Sequence, residues 1–169
     1  VAFPDDQLQI MGYYRAVKDL NGLSTDQLLS RVGEKFEIGG ELSGPPDRRR
    51  CFGMYLDGRW YRLTAKDGSF PEGDPVLSLD VSILQENLLN PILGIGDPRT
   101  DERIEFIGGI RGPAELERRC GIDMKVAFSL YPTSVGELIA IADTGNVMPP
   151  KSTWFEPKLR SGMVVRTLT

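Results

Sequence analysis

The chain has 169 residues, of which 40% are hydrophobic and 26% are charged, and its 20 basic and 24 acidic side chains give a net charge of −4. This composition is typical of one globular domain with its own core, and the acidic balance argues against a general binder of nucleic acid or acidic membranes. The chain has no histidine, which removes the usual general base near neutral pH and the most common metal ligand. Chemistry in this chain would therefore depend on carboxylates, lysine, tyrosine or backbone donors.

Other sequence signals concern the cellular compartment and the extent of the chain. No apolar run approaches the ~20 residues of a membrane-spanning helix, and no signal-peptide pattern is present. Cys51 and Cys120 lie far apart and fit buried thiols in a reducing cytoplasm better than a disulfide. The sequence starts without methionine on what resembles the end of a strand, Val1 to Phe3. We therefore expect residues 1–169 to form a single domain that is the C-terminal fragment of a longer, cytoplasmic protein.

A strand and a helix are predicted at the start of the chain. Alternating apolar and polar residues predict a strand over residues 7–17. Ser24 and Gln27 have the spacing of a capping box, which predicts a helix that begins there and ends at Gly39 and Gly40.

The strongest local signal is a β-hairpin around Asp57 and Gly58. This dipeptide favours a two-residue type I′ turn, which would place Tyr55 opposite Trp60 as an aromatic pair on one face. The residues of the other face are largely apolar, and we expect them to face the core. They are Phe52, Met54, Leu56, Arg59, Tyr61 and Leu63.

In the second half, helices are predicted to alternate with strands. A helix is expected from about residue 78 to residue 90, because Pro91 excludes a helical conformation before it. Strands are predicted at 103–107, 125–130 and 163–168, and helices at 113–120 and 134–143.

Two of these strand–helix units repeat each other, since Ile104 and Phe106 recur as Val126 and Phe128. If the two strands share a sheet, a right-handed crossover makes them parallel and places both following loops at the same sheet edge. We therefore predict an α+β fold: a mixed β-sheet with a hairpin and two short strand–helix units, and two to four helices packed on it.

Two of the loops lead directly into a helix. The segment "GGIRG" ends with Arg111 and Gly112, and the free N–H groups of the helix start together with a planar guanidinium would suit an anion. The alternative is a tight turn that needs a positive φ. The segment "YPTS" brings Thr133 and Ser134 to the next helix; capping alone explains Ser134, whereas Thr133 is a second hydroxyl that could face the same place.

A third loop, "PPKSTW", combines a rigid approach with polar side chains. Pro149 and Pro150 stiffen the chain, so that Lys151, Ser152 and Thr153 would be presented at low entropic cost to a phosphate or carboxylate. The alternative is an irregular connector with an exposed lysine and buried aromatic residues.

A group of carboxylates could in principle hold Mg²⁺. It consists of Asp97, Asp101, Glu102 and Glu105. Their spacing matches neither an EF-hand nor another known ligand pattern, so solvated turn chemistry is favoured and no metal site is predicted.

Several motifs occur in the order found in one protein family. They are "GMYLDGRWYRL", "LDVSILQENLLNPILGIGDPRTD", "FIGGIRG", "FSLYPTS" and "VMPPKSTWFEPKLRSG". With them the chain resembles the domain of unknown function 1015 family of bacteria and archaea. The resemblance implies a C-terminal part, because full-length members are longer and carry an upstream Asp-Gly-His-His-Arg type motif similar to that of ParB/sulfiredoxin-like proteins. It supplies no settled activity.

Together these observations lead to one leading functional hypothesis. We expect a ligand-binding half that contacts an anionic, phosphorylated or nucleotide-like small molecule, while the missing N-terminal half supplies the reactive groups. The candidate ligand-binding residues are Arg111, Thr133, Lys151, Ser152 and Thr153. No catalytic residue is assigned, no cofactor is specified, and neither a membrane nor a nucleic acid is an expected partner. The alternative is a structural or oligomerisation domain with no ligand of its own.

Overall fold

A computed structural model describes residues 9–40 and 45–158 of the chain. The strands are β1 (Gln9–Met11), β2 (Tyr13–Val17), β3 (Phe36–Gly39), β4 (Cys51–Leu56), β5 (Arg59–Ala65), β6 (Ile104–Gly108), β7 (Val126–Leu130) and β8 (Trp154–Glu156). The helices are α1 (Thr25–Lys35), α2 (Asp80–Leu84), α3 (Gly112–Cys120) and α4 (Val135–Asp143). A π-helical turn, Gln85–Leu89, continues α2, and a 3₁₀ turn, Gly109–Arg111, precedes α3.

Six strands form one sheet in the order β3-β5-β4-β7-β2-β6, and β1 pairs with β8 in a separate two-stranded ribbon. Each neighbouring pair in the described part of the chain is antiparallel. Strands β6 and β7 therefore run parallel to each other on either side of β2, as the predicted strand–helix repeat requires. The α+β fold is confirmed, and β6 and β7 end at the sheet edge where β2 begins.

Apolar residues fill both faces of this sheet. Val126 and Phe128 of β7 belong to the larger core cluster, which also contains residues of α1 and α2, whereas Ala127 belongs to a smaller cluster. Neighbouring residues of a strand point to opposite faces, so the two clusters lie on opposite sides of the sheet. Leu116 of α3 is fully buried in the smaller cluster.

The predicted hairpin is confirmed residue by residue. Asp57 and Gly58 have φ angles of 48° and 79°, as a type I′ turn requires. Tyr55 pairs with Trp60 and their ring centroids lie 5.1 Å apart. On the core-facing side the expected partners also face each other, namely Phe52 with Leu63, Met54 with Tyr61 and Leu56 with Arg59.

The first predicted strand is divided in two at Gly12. A Cβ atom at this position would lie 2.4 Å from the carbonyl oxygen of Leu130, so the close approach of β7 excludes any side chain. The carbonyl of Gly12 accepts a hydrogen bond from the N–H of Gly109 at 2.9 Å, which ties the break to the end of β6. The alternation of apolar and polar residues stops at Ile10, and a glycine inside a predicted strand often marks such a close approach.

The first helix begins at the predicted capping box of Ser24 and Gln27 but ends at Lys35, not at the two glycines. The prediction of its end was wrong because Phe36 turns into strand β3, where it pairs with Ala65 and packs edge-on against Phe52 at a centroid distance of 5.6 Å. The expected helix over residues 78–90 is present as α2 and its π-helical continuation. The predicted strand at residues 163–168 lies outside the described residues.

No helix within residues 9–40 and 45–158 is both long and apolar enough to cross a membrane.

Candidate functional site

The segment 149–153, which we call the proline–lysine loop, is held in place by hydrogen bonds. The guanidinium Nη2 of Arg15 donates to the carbonyl of Lys151 at 3.1 Å, and the hydroxyl of Thr133 donates to the carbonyl of Ser152 at 3.3 Å. The hydroxyl of Ser152 donates to the carbonyl of Pro149 at 2.6 Å. With its carbonyl fixed, Lys151 adopts a φ of 57°, a left-handed conformation that is uncommon for a residue other than glycine.

Two of the candidate hydroxyls thus have a defined role. Thr133 and Ser152 are both buried, and their hydroxyls bond to the main chain of the proline–lysine loop itself. The Lys151 side chain is exposed, whereas Thr153 is half-buried. The structure therefore brings Thr133, Lys151 and Ser152 together, with Lys151 as the accessible charge of the group.

Arg15 is the residue of this region that the sequence analysis missed. Its side chain is 4% exposed, and its hydrogen bonds go to two backbone carbonyls, those of Tyr13 and Lys151. Burial lowers the pKa of Arg15 to about 10, so the group remains cationic at neutral pH. None of the ion pairs formed among the described residues includes Arg15. A buried guanidinium without a carboxylate partner is costly, and it favours the approach of an anion.

A signal for Arg15 was present in the sequence. Arg15 interrupts the strand "YYRAV", in which Tyr14, Ala16 and Val17 are also buried. A charged residue at a core-facing position of such a strand is unusual enough to mark a candidate site. Its partner, the carbonyl of Lys151, is remote in the sequence and could not be inferred.

Aromatic rings and cations form a row beside the loop. Tyr13 packs edge-on against Phe106 and Trp154, with centroid distances of 6.1 Å and 5.3 Å. Each ring carries a cation: Arg15 over Phe106 at 5.3 Å, Lys151 over Tyr13 at 5.5 Å and Lys158 over Trp154 at 3.5 Å. We call these six residues the cation–aromatic row.

The position of Trp154 depends on a glycine. A Cβ atom at Gly108 would lie 2.4 Å from two carbon atoms of the indole ring, so this ring packs directly on the end of β6. The indole N–H donates to the carboxylate of Glu156 at 3.1 Å, which fixes the orientation of the ring. Trp154 itself remains half-buried.

Arg111 occupies the predicted loop between β6 and α3, but its charge is engaged locally. Its Nη1 lies 3.5 Å from the Glu115 carboxylate, which also accepts from Arg118 at 2.8 Å. The side chain of Arg111 is 65% exposed, and Gly112 has the positive φ, 69°, expected of a tight turn. No hydrogen bond or ion pair within the described ranges links Arg111 to the proline–lysine loop.

Three of the four carboxylates considered for Mg²⁺, namely Asp97, Asp101 and Glu105, are paired with arginines. Asp97 bonds to Arg99 and Asp101 to Arg103, each at 2.8 Å. Hydrogen bonds from Arg99 lower the pKa of Asp97 to about 2. Residues 9–40 and 45–158 contain no cluster of three or more side chains suited to a metal ion.

Comparison with known families gives one match. The profile of a family described as "Protein of unknown function (DUF1015)" matches residues 1–82. This match confirms the predicted DUF1015 resemblance. No curated protein matches the sequence.

Solved structures are similar in fold to this chain. Two structures of a point mutant of a free serine kinase, in complex with AMP and with ADP, align with TM-scores of 0.51 and 0.50 and 15% sequence identity. The alignment covers 89% of this chain and 55% of each kinase chain, so the chain spans about half the length of these structures. A conserved hypothetical protein from Pyrococcus furiosus aligns with a TM-score of 0.44 and 12% identity, covering 89% of this chain and 57% of its own. At these identities the similarity concerns the fold alone.

Proposed function

We propose that this chain is the ligand-binding part of a longer protein and that the proline–lysine loop holds an anionic, phosphorylated or nucleotide-like small molecule. The observation that carries the proposal is Arg15, a buried guanidinium whose hydrogen bonds go to backbone carbonyls. The charge of Arg15 is not balanced by a carboxylate within the described residues. Lys151, whose carbonyl Arg15 contacts, adds an exposed ammonium in the same loop. An anion placed here would interact with both charges in a partly desolvated setting, where such contacts are strongest.

The candidate residues have different roles in this proposal. Lys151 contacts the ligand directly, and Thr153 offers a hydroxyl on the same loop. Thr133 and Ser152 act through the loop, because their hydroxyls fix its backbone. Arg111 contributes by exchanging its exposed ion pair with Glu115 for the ligand, an exchange that costs little because surface ion pairs are weak.

The fold similarity supports a nucleotide-like ligand. The structures that align at TM-scores of 0.51 and 0.50 are those of a kinase in complex with AMP and ADP. Adenine nucleotides combine phosphate groups with a planar base, and the site combines cations with aromatic rings. Any reactive groups belong to the part of the longer protein that precedes this chain, and this part alone is not proposed to be an enzyme.

The test is isothermal titration of the protein with ADP, comparing wild type with Lys151→Ala. Loss of one charge-assisted contact should weaken binding by about 10-fold or more. Lys125→Ala is the matched control. Lys125 is also exposed, but it precedes β7 and therefore lies at the end of this strand opposite to Thr133. Equal affinity of wild type and Lys151→Ala for ADP would contradict the proposal, and so would the absence of binding to wild type.

A second candidate function is that of an interaction domain, and helix α4 favours it. Val135 and Ile139 lie one turn apart on this helix and are 52% and 51% exposed, and Val147 after the helix is 85% exposed. Exposed apolar residues grouped in this way are typical of protein contacts. Sedimentation velocity of wild type and Ile139→Lys would test it, since a self-associating wild type and a monomeric variant are the expected result.

A further inference from the structure

Trp154 presents a ring face over which a flexible side chain lies. One part of the indole packs against Gly108, and its edge meets Tyr13 at a centroid distance of 5.3 Å. The ammonium of Lys158 lies over the ring, 3.5 Å from its centroid. A lysine reaches such a position on a four-carbon chain with many rotamers and loses its stacking contact without disturbing the core. Trp154 is half-buried, which is consistent with a ring that remains open on this side.

The open face of Trp154 and the anion site are joined by a single ring. Tyr13 contacts Trp154, and the ammonium of Lys151 lies over the Tyr13 ring, 5.5 Å from its centroid. A ligand that used both would need an anionic group at Lys151 and a planar group at Trp154, separated by a spacer about the size of one ring. A nucleoside 5′-phosphate has this construction, with a ribose between its base and its phosphate.

We infer that the ligand of the proline–lysine loop is a nucleoside phosphate and that its base stacks on Trp154, in the place that Lys158 occupies in the structure. This inference rests on the proposed function and adds to it the residue that recognises the base. Stacking on an aromatic ring tolerates every base, because each has a π-face. The site therefore distinguishes nucleotides from phosphates without a base and shows little preference among the bases.

The displaced Lys158 has a second role in this arrangement. Its ammonium leaves the indole face when the base arrives, and the phosphate groups of the ligand are the strongest acceptors within reach. Lys158 then adds to the charge contributed by Lys151 and Arg15, which gives nucleoside diphosphates an advantage over monophosphates. Replacing Lys158 by Ala opens the indole face, so the variant should bind nucleosides better than wild type while losing the preference for ADP over AMP.

The experiment compares ADP with pyrophosphate, which carries similar charge but no base. Wild type should bind ADP at least ~10-fold more tightly than pyrophosphate, the low end of what one stacked base supplies. Trp154→Leu should reduce the affinity for ADP to that for pyrophosphate and leave the affinity for pyrophosphate unchanged. Equal binding of the two ligands by wild type overturns the inference but leaves the anion site intact, whereas failure of both ligands to bind overturns the proposed function as well.

Fluorescence provides a readout that does not depend on the stability of the leucine variant. The chain has two tryptophans, and Trp60 can be replaced by Phe so that the signal comes from Trp154 alone. ADP should quench this emission on binding and pyrophosphate should not, because only the base stacks on the indole. Quenching of the same extent by both ligands, or by neither, contradicts the stacking of a base on Trp154.

Discussion

Replacing Asp80 by Asn should make the stability of the protein much less dependent on pH. Asp80 is the first residue of α2 and is 8% exposed. One carboxylate oxygen accepts the backbone N–H of Arg50 at 2.9 Å, whereas the other is buried without a hydrogen-bond partner among the described residues. Burial raises the pKa of Asp80 to about 7; the Arg50 N–H and the charges of Arg49 and Arg50 oppose this rise, and Glu137 adds to it.

The size of the effect follows from the two pKa values. The folded state keeps the proton of Asp80 up to about pH 7, whereas the unfolded state releases it near the ordinary value of 3.8. Stability is therefore lost as the pH rises through this window, because the unfolded state binds fewer protons there. At about 1.4 kcal/mol per pH unit, the loss is on the order of 4 kcal/mol above pH 7. The asparagine carries no charge and avoids this loss, while its side-chain oxygen still accepts from Arg50.

The assay is urea unfolding of wild type and Asp80→Asn at pH 4.5 and pH 8.5, with the free energy of unfolding compared at each pH. The two proteins should be similar at the lower pH, and the variant should be the more stable by a few kcal/mol at the higher pH. Asp67→Asn is the control, since this carboxylate is exposed and should show no such difference. A variant that is equally or less stable than wild type at pH 8.5 would refute the argument that Asp80 is held in an unfavourable buried site.

Two further substitutions test the packing around the site. Gly108→Ala places a methyl group 2.4 Å from Trp154 and should destabilise the protein by about 1–3 kcal/mol in urea unfolding, whereas Gly73→Ala, with nothing within 4 Å, should have little effect. Equal stability of the two variants would mean that Trp154 does not pack on β6. Ser134→Ala removes the hydroxyl that accepts the N–H of Glu137 at 3.2 Å and should cost about 1 kcal/mol by thermal unfolding. An unchanged midpoint would show that α4 does not depend on its capping box.

The elements that could be predicted from the sequence are those with local causes. The hairpin depends on the two residues of its turn, Asp57 and Gly58, and its register was predicted without any knowledge of the rest of the chain. The helices that begin at Ser24 and Ser134 are likewise defined by side chains three residues apart. Such features are determined by geometry within a few residues.

What could not be predicted depends on contacts between distant segments. Strand β3 exists because Phe36 pairs with Ala65, and the sequence after α1 carries no sign of that partner. The convergence at the candidate site has the same origin, since Arg15 meets Lys151 only after the sheet has formed. The residue types of the proline–lysine loop marked it as a candidate site, but the sequence did not indicate that the buried Arg15 would contact this loop.

The placement of β2 between β7 and β6 has a consequence for how the chain is made. This strand is synthesised before both of its hydrogen-bonded neighbours, which lie about a hundred residues further along the chain. Until β6 and β7 leave the ribosome, the backbone N–H and C=O groups on both edges of β2 have no strand partner. Such a delay is typical of topologies with high contact order, and it exposes the growing polypeptide to aggregation. We therefore expect the yield of expressed protein to be limited by aggregation during synthesis, which chaperones would reduce, and not by low stability of the folded domain.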